Sequence, residues 1–187
     1  MSVVGIVLAA GAGRRFGGPK AEVVLAGERL LDRAVRVLRT GGCTDVVAVV
    51  RARARVVDAR AVVNDDPERG MASSLALGLQ AAAETSASRA VVVLADMPGV
   101  QPTTVAAVAG SSAPIAMAGY AGRRGHPIAF ARELWAEVAE NVHGDEGARA
   151  YIDAHPELVS VVEIGDARRA LADIDTAADL ADWNDRE

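Results

Sequence analysis

Short runs of continuously apolar, largely β-branched residues recur along the first half of the chain. They are Val3 to Leu8, Val46 to Val50, Ala61 to Val63 and Ala90 to Leu94. A strand with one wet face alternates apolar and polar residues, whereas an unbroken apolar run of strand length belongs to a strand covered on both faces, as in a parallel sheet. Helical spacing fills the gaps. Leu30, Ala34 and Leu38 repeat every fourth residue and stop at Gly41–Gly42. Met71, Leu75 and Leu79 give a second helix, and a third runs from Pro102, a favourable first-turn position, to about Gly110. Repeated strand–helix–strand units predict an α/β fold of three layers, α/β/α, around a mostly parallel central sheet.

After residue 114 the pattern changes. Ile115 to Tyr120 and Pro127 to Phe130 read as two strands joined by a Gly-Arg-Arg-Gly turn at 122–125, so the sheet is expected to be mixed. Leu134, Val138 and Val142 mark a helix, Ala148 to Ala154 another, and Leu158 to Ile164 a late strand. A last helix runs through Leu180 and Trp183. No internal repeat or linker interrupts the 187 residues, which are expected to form one domain, 1–187. Aromatics are only 3%, so small side chains in thin layers must build the core.

The net charge of −5 argues against a nucleic-acid partner, while the local clusters Arg14–Arg15–Lys20 and Arg51–Arg53–Arg55 suit a small anionic ligand. Cys43 is the only cysteine, which excludes an internal disulfide or a cysteine zinc site and fits a reducing compartment. The N-terminal apolar run lacks a basic leader and is too short to span a bilayer, so a cytoplasmic protein with no membrane partner is expected.

The first strand runs into LAAGAGRRFGGPK, residues 8–20, where Gly11, Gly13, Gly17 and Gly18 let the backbone approach an anion closely and Arg14, Arg15 and Lys20 add charge. A Walker A loop is excluded because Pro19 separates Gly18 from Lys20 and Ala21 stands where a hydroxyl is needed. A dinucleotide fingerprint meets Phe16 at its third glycine position, although Arg51 and Arg53 would suit a 2′-phosphate. Asp96 follows the fourth strand in LADMPGV, at the end of a parallel strand where ligands bind, and could either hold Mg²⁺ or cap the next turn. DIDT, residues 173–176, brings Asp173 and Asp175, the latter a metal ligand or a helix cap shared with Thr176. Ser73 and Ser74 open a helix and could bind a ligand or cap their own helix. His126 precedes a proline, and Arg149 could pair with Asp145 across one turn.

Taken together, LAAGAGRRFGGPK, LADMPGV, GMASSLALGL (70–79), GRRGHPIAF (122–130), GDEGARAY (144–151) and DIDT resemble, in order and over nearly the whole chain, the nucleotidyltransferases related to the molybdenum cofactor cytidylyl- and guanylyltransferases. The resemblance implies a Rossmann-like nucleotidyltransferase fold and a Mg²⁺-dependent transfer of a nucleotidyl group to a small phosphorylated acceptor. It implies a nucleotide on Leu8, Ala9, Ala10, Gly11, Gly13, Ser73 and Ser74, with Arg15 and Lys20 on the triphosphate. Mg²⁺ would sit on Asp96 and Asp175, with Asp173 second to them and Asp179 on the last helix; His126, Asp145 and Arg149 would face the acceptor. LAAG, GHP and GDEGAR resemble the cytidylyl branch, which implies CTP as donor, a phosphorylated pterin as acceptor, and delivery of the product to a molybdoenzyme. A guanylyltransferase using GTP, an NAD(P)H-dependent oxidoreductase and a non-catalytic nucleotide-binding module stay open as alternatives.

Overall fold

The computed structural model describes residues 2–165 and 171–185. In chain order the elements are β1 (Val3–Ala9), β2 (Val24–Leu25), β3 (Glu28–Arg29), α1 (Leu30–Thr40), β4 (Asp45–Val50), β5 (Arg60–Val63), α2 (Met71–Ala83), β6 (Arg89–Leu94) and α3 (Pro102–Ala109). Then follow β7 (Ile115–Tyr120), β8 (Arg123–Ala131), α4 (Trp135–Asn141), α5 (Arg149–Ala154), β9 (Val159–Glu163) and α6 (Ala177–Asn184). Seven strands form the main sheet in the order β5-β4-β1-β6-β8-β7-β9, and β2 with β3 makes a separate small hairpin. β1 pairs in parallel with β4 and β6, β4 with β5, and β7 with β9; β8 alone is antiparallel to its neighbours. The expected mostly parallel, mixed sheet is therefore the one observed.

β1 is the centre of this arrangement, and every one of its residues is buried. Its alternating side chains divide the core. Val4, Ile6 and Leu8 pack with Leu75 and Leu79 of α2 and Trp135 and Val138 of α4. Val3, Val7 and Ala9 pack on the other face with Leu31, Val35 and Leu38 of α1 and Val105 and Val108 of α3. The layers are thin because glycines remove side chains at the crossings. A Cβ on Gly78 of α2 would stand 2.6 Å from Ile6 Cγ2, and one on Gly5 would stand 2.7 Å from Leu38 Cδ1. A third cluster of Val23, Leu25, Leu30, Ile174 and Trp183, with Phe16 and Leu180 against it, fastens the C-terminal segment beside the first loop.

One expectation changes, and one hairpin was not foreseen. The hairpin between β7 and β8 turns on Ala121 and Gly122 alone, both with positive φ (47° and 79°), in register Tyr120 with Arg123. A two-residue turn with left-handed residues matches strand twist, so Arg123 to Gly125 lie in β8 rather than in a longer turn. β2 and β3, two residues each, are too short to leave a sequence period. No helix among the described residues is long and apolar enough to cross a membrane.

Candidate active site

The chain leaves β1 toward β4 on one side and later returns to place β6 on the other. This reversal of strand order opens a crevice at the carboxyl ends of β1 and β6, where α/β sheets take ligands. Leu8 pairs with Leu94 at that edge. A cavity of about 690 Å³ lies there, with Leu8, Ala9, Ala10, Gly11, Gly13, Lys20, Ser74, Asp96 and Asp145 among its walls.

The loop after β1 is built in two halves. Around Gly13 (φ +59°), the amides of Phe16 and Gly17 both donate to the Gly13 carbonyl at 2.9 Å. A side chain at Gly13 would meet the Gly18 carbonyl oxygen at 1.9 Å, so this turn needs a glycine. Phe16, which breaks a dinucleotide fingerprint, is a hydrophobic anchor packed toward Ile174 and Trp183. Among the described residues, the backbone N–H groups of residues 11–15 donate no hydrogen bond. A run of open amides on the wall of a cavity is an anion-binding surface.

At its floor Lys20 Nζ donates to Asp96 Oδ2 at 2.9 Å and to Asp175 Oδ1. Three residues from distant parts of the sequence thus meet at one ammonium. Burial opposes the charged form of Lys20, but its hydrogen bonds to Asp175 and Asp96 outweigh this and raise its pKa. The Ile174 amide donates to the Asp96 carbonyl at 2.9 Å, which ties the two carboxylate-bearing segments together. Thr176, and not Asp175, caps α6: its hydroxyl accepts from the Asp179 amide, while Asp179 Oδ2 accepts from the amides of Thr176 (2.7 Å) and Asp175 (3.0 Å). Asp179 is thereby fixed as a capping residue, its carboxyl held below the usual range first by the Thr176 hydroxyl, and Asp175 is left to face Lys20. Asp173 is exposed. Arg15 reaches the outer oxygen of Asp175 at 3.5 Å from solvent and does not line the cavity.

Among the described residues no three His, Cys, Asp or Glu side chains converge as a metal-binding group. A cation here would take Asp96 and Asp175 and complete its shell from phosphate oxygens and water, the arrangement that suits Mg²⁺. The residues fit such an ion, since the two carboxylates already share one positive charge.

Ser73 and Ser74 separate. Ser74 lines the cavity, whereas the Ser73 hydroxyl donates to the Gly70 carbonyl at 2.8 Å and faces the opposite side of α2. Ser73 is therefore a helix-start residue, about 100° around α2 from the cavity-facing Ser74. Asn64, which sequence reading missed, holds both hydroxyls through Nδ2 at 2.9 and 3.0 Å.

Because β8 runs against β6, its first residues lie at the same carboxyl end of the sheet. There a second cavity of about 720 Å³ adjoins the first, sharing Leu8, Met71 and Asp145 with it. His126, Asp145 and Arg149 all line it, so the three expected acceptor residues come together. Arg149 and Asp145 do not pair with each other. The floor is apolar (Met71, Met117, Ile128, Phe130) and the polar lining carries both signs: Arg149 with Arg123 and Arg124, two residues that sequence reading assigned to a turn, and Asp145, Glu146 and Asp153, the last paired with Arg124 at 3.2 Å. His126 Nδ1 stands 3.4 Å from the Val92 carbonyl. Burial pushes the His126 pKa down, against the opposing pull of that carbonyl and of Asp96.

The chain has relatives of two names. It is 39% identical to nicotine blue oxidoreductase of Paenarthrobacter nicotinovorans over 195 residues, covering 95% of this chain and 94% of that protein. It is 44% identical over 104 residues to a probable molybdenum cofactor guanylyltransferase of Opitutus terrae, spanning 54% of this chain and 50% of that protein. Among solved structures, Rv0371c of Mycobacterium tuberculosis superposes with a TM-score of 0.85 at 27% identity over 99% of each chain. The same Mycobacterium protein has also been solved with manganese, matching with a TM-score of 0.81 at 25% identity over all of each chain. Residues 5–159 match the MobA-like NTP transferase domain. The chain belongs to the MobA-like NTP transferase domain family and is a nucleotidyltransferase-type enzyme.

Proposed function

We propose that the protein transfers a nucleotidyl group from a nucleoside triphosphate to a phosphorylated, planar heteroaromatic acceptor, with release of pyrophosphate. One observation carries the reading: Lys20, Asp96 and Asp175 meet beneath an open run of amides, beside a second cavity with an apolar floor and Arg123 and Arg149 in its lining. The triphosphate lies along residues 11–14, and Lys20 offsets the charge that grows on the leaving pyrophosphate, with Arg15 adding to it from the solvent side once a nucleotide is bound. An acceptor phosphate oxygen, held at the Arg149 and His126 side, attacks the α-phosphorus in line. That oxygen is already ionised, so the chemistry asks for positioning and charge neutralisation more than for a base. A divalent ion on Asp96 and Asp175, Mg²⁺ by the donor set, supplies Lewis-acid polarisation of the phosphates when bound.

The motifs LAAG and GHP favour CTP, while the relatives named guanylyltransferases favour GTP. GTP is the better-supported donor, because those relatives match over about half of the chain rather than over a few residues. A pterin phosphate acceptor and delivery of the dinucleotide to a molybdoenzyme complete this reading. Pyrophosphate release measured with GTP or CTP, Mg²⁺ and a pterin phosphate tests it. Release with one nucleotide, lost in Asp96→Asn, supports the reading; no release with either sinks it.

A second reading has its own support, the near full-length similarity to a protein named nicotine blue oxidoreductase. Here the first cavity takes the phosphates of NAD(P)H and the second a planar heteroaromatic oxidant. Oxidation of NADPH that is indifferent to Mg²⁺ and to Asp96→Asn would favour this reading over nucleotidyl transfer.

A further inference from the structure

Arg51 stands at the carboxyl end of β4, and two parts of the first cavity, the Ala10 carbonyl and Glu68, converge on it. Its Nε donates to the Ala10 carbonyl at 2.9 Å, and its Nη2 donates to Glu68 Oε1 at 2.7 Å. The other oxygen of Glu68 accepts from Arg14. Ala10, Arg14, Arg51 and Glu68 all line the cavity. The chain of contacts closes a ring: it leaves the loop at Ala10, passes through Arg51 and Glu68, and returns to the loop at Arg14.

We infer that Arg51 is a positioning residue that holds the Gly11–Gly13 amides ready for the triphosphate. The inference rests on the reading that this cavity takes a nucleotide. The physical basis is the rigidity of the peptide unit. The Ala10 carbonyl and the Gly11 N–H belong to one planar trans peptide and point in opposite directions. Fixing the carbonyl on Arg51 therefore fixes the N–H away from it, and that N–H has no partner among the described residues. The second half of the loop orders itself around the Gly13 carbonyl, while the first half is held from outside the loop, at Ala10 by Arg51 and at Arg14 by Glu68. Glycine-containing backbone is costly to order at the moment of binding, so a clamp already in place raises affinity without touching the ligand. Glu68 uses both oxygens on arginines, one on Arg51 and one on Arg14, and so ties the Arg51 guanidinium to the far side of the loop. Its carboxyl is held below the usual range, first by the Arg51 hydrogen bond.

Nucleotide binding to Arg51→Met and Arg51→Lys, measured by calorimetry with Mg²⁺ and whichever of GTP and CTP the wild type binds, tests the assignment. Arg51→Met is expected to weaken binding about 10- to 50-fold, with the same rise in KM and less than about threefold change in kcat. The apo melting temperature should stay near that of the wild type. Arg51→Lys restores only part of the loss, because a point charge can satisfy Ala10 or Glu68 but not the fork of both. Since the effect is geometric, it persists in about 0.5 M salt, where a simple Coulombic contribution is screened. Full rescue by lysine, disappearance of the effect in salt, or a kcat loss as large as the loss in kcat/KM would each overturn the assignment. Unchanged binding in Arg51→Met overturns it alone; a wild type that binds neither nucleotide overturns the proposed function with it.

Discussion

Lys20→Met should tighten the binding of a divalent cation to the nucleotide-free protein, although it removes a residue from the site. The lysine ammonium contacts both Asp96 and Asp175, at the position a cation would use. An incoming ion must displace it. A pair of unit charges near a protein surface at about 4 Å interacts by roughly 4 kcal/mol at an effective dielectric of 20. Solvation of the freed ammonium returns much of this, and the three side chains are 18%, 24% and 33% exposed. Exposed pairs are worth up to about 1 kcal/mol and buried ones about 3–5 when broken, so roughly 2 kcal/mol is reasonable for this partly buried set. Relieving that competition corresponds to about 30-fold tighter binding. Mn²⁺ titration followed by electron paramagnetic resonance, without nucleotide, reads it directly. Asp96→Asn and Asp175→Asn should move affinity the other way, and Lys20→Met should still lose at least about 100-fold in pyrophosphate release. Mn²⁺ affinity that is unchanged or weaker in Lys20→Met would refute the idea that ammonium and cation share one position.

Other expectations follow from packing and burial. Gly78→Ala forces a methyl to 2.6 Å from Ile6 in a tightly packed layer, so chemical denaturation should show a loss of about 1–3 kcal/mol with little change in slope. Thr176→Ala removes one half of the capping box and should cost about 1 kcal/mol, while leaving Asp179 with no hydroxyl to fix it; the Mn²⁺ titration should then show weaker binding through Asp175. Cys43 is buried and its thiol is pushed up to about 12 by that burial, against a small opposing effect of Arg39, so thiol reagents at pH 8 should label it only on unfolding. His126 has a folded pKa below its unfolded value of about 6.5, so below pH 6.5 the unfolded chain binds the extra proton first. Stability is then full above the unfolded pKa and declines as pH falls from there toward the folded one; His126→Gln should flatten that decline in melting experiments between pH 7 and 5.

The parallel half of the fold was legible because strands covered on both faces cannot alternate, and Val3 to Leu8 and Ala90 to Leu94 do not. Helix ends were equally plain where Gly41 and Pro102 mark them. Lys20, Asp96 and Asp175 were legible through motif resemblance; nothing in their spacing of 76 and 155 residues says that they meet. What escaped was contact geometry. Ser73 and Ser74 are neighbours in sequence, yet about 100° apart on a helix, so only one can face the cavity. Arg51 read as a free cation for a 2′-phosphate because sequence cannot show that Glu68 and the Ala10 carbonyl already occupy it. Arg123 and Arg124 read as turn residues because a two-residue turn with a left-handed alanine leaves no glycine pair to mark it.

The one reversed strand has a consequence for how such proteins diverge. Most walls of the first cavity come from residues 8–96, while the second is framed mainly by the tip and start of β8 and by the segment 145–153. A hairpin tip can lengthen, shorten or change charge without shifting the register of the strands behind it. The lining of the second cavity can therefore change by mutation at 122–126 and 145–149 without altering the loop after β1 or the Lys20–Asp96–Asp175 cluster. Similarity to two proteins whose names come from different reaction classes is what such a division of the chain allows.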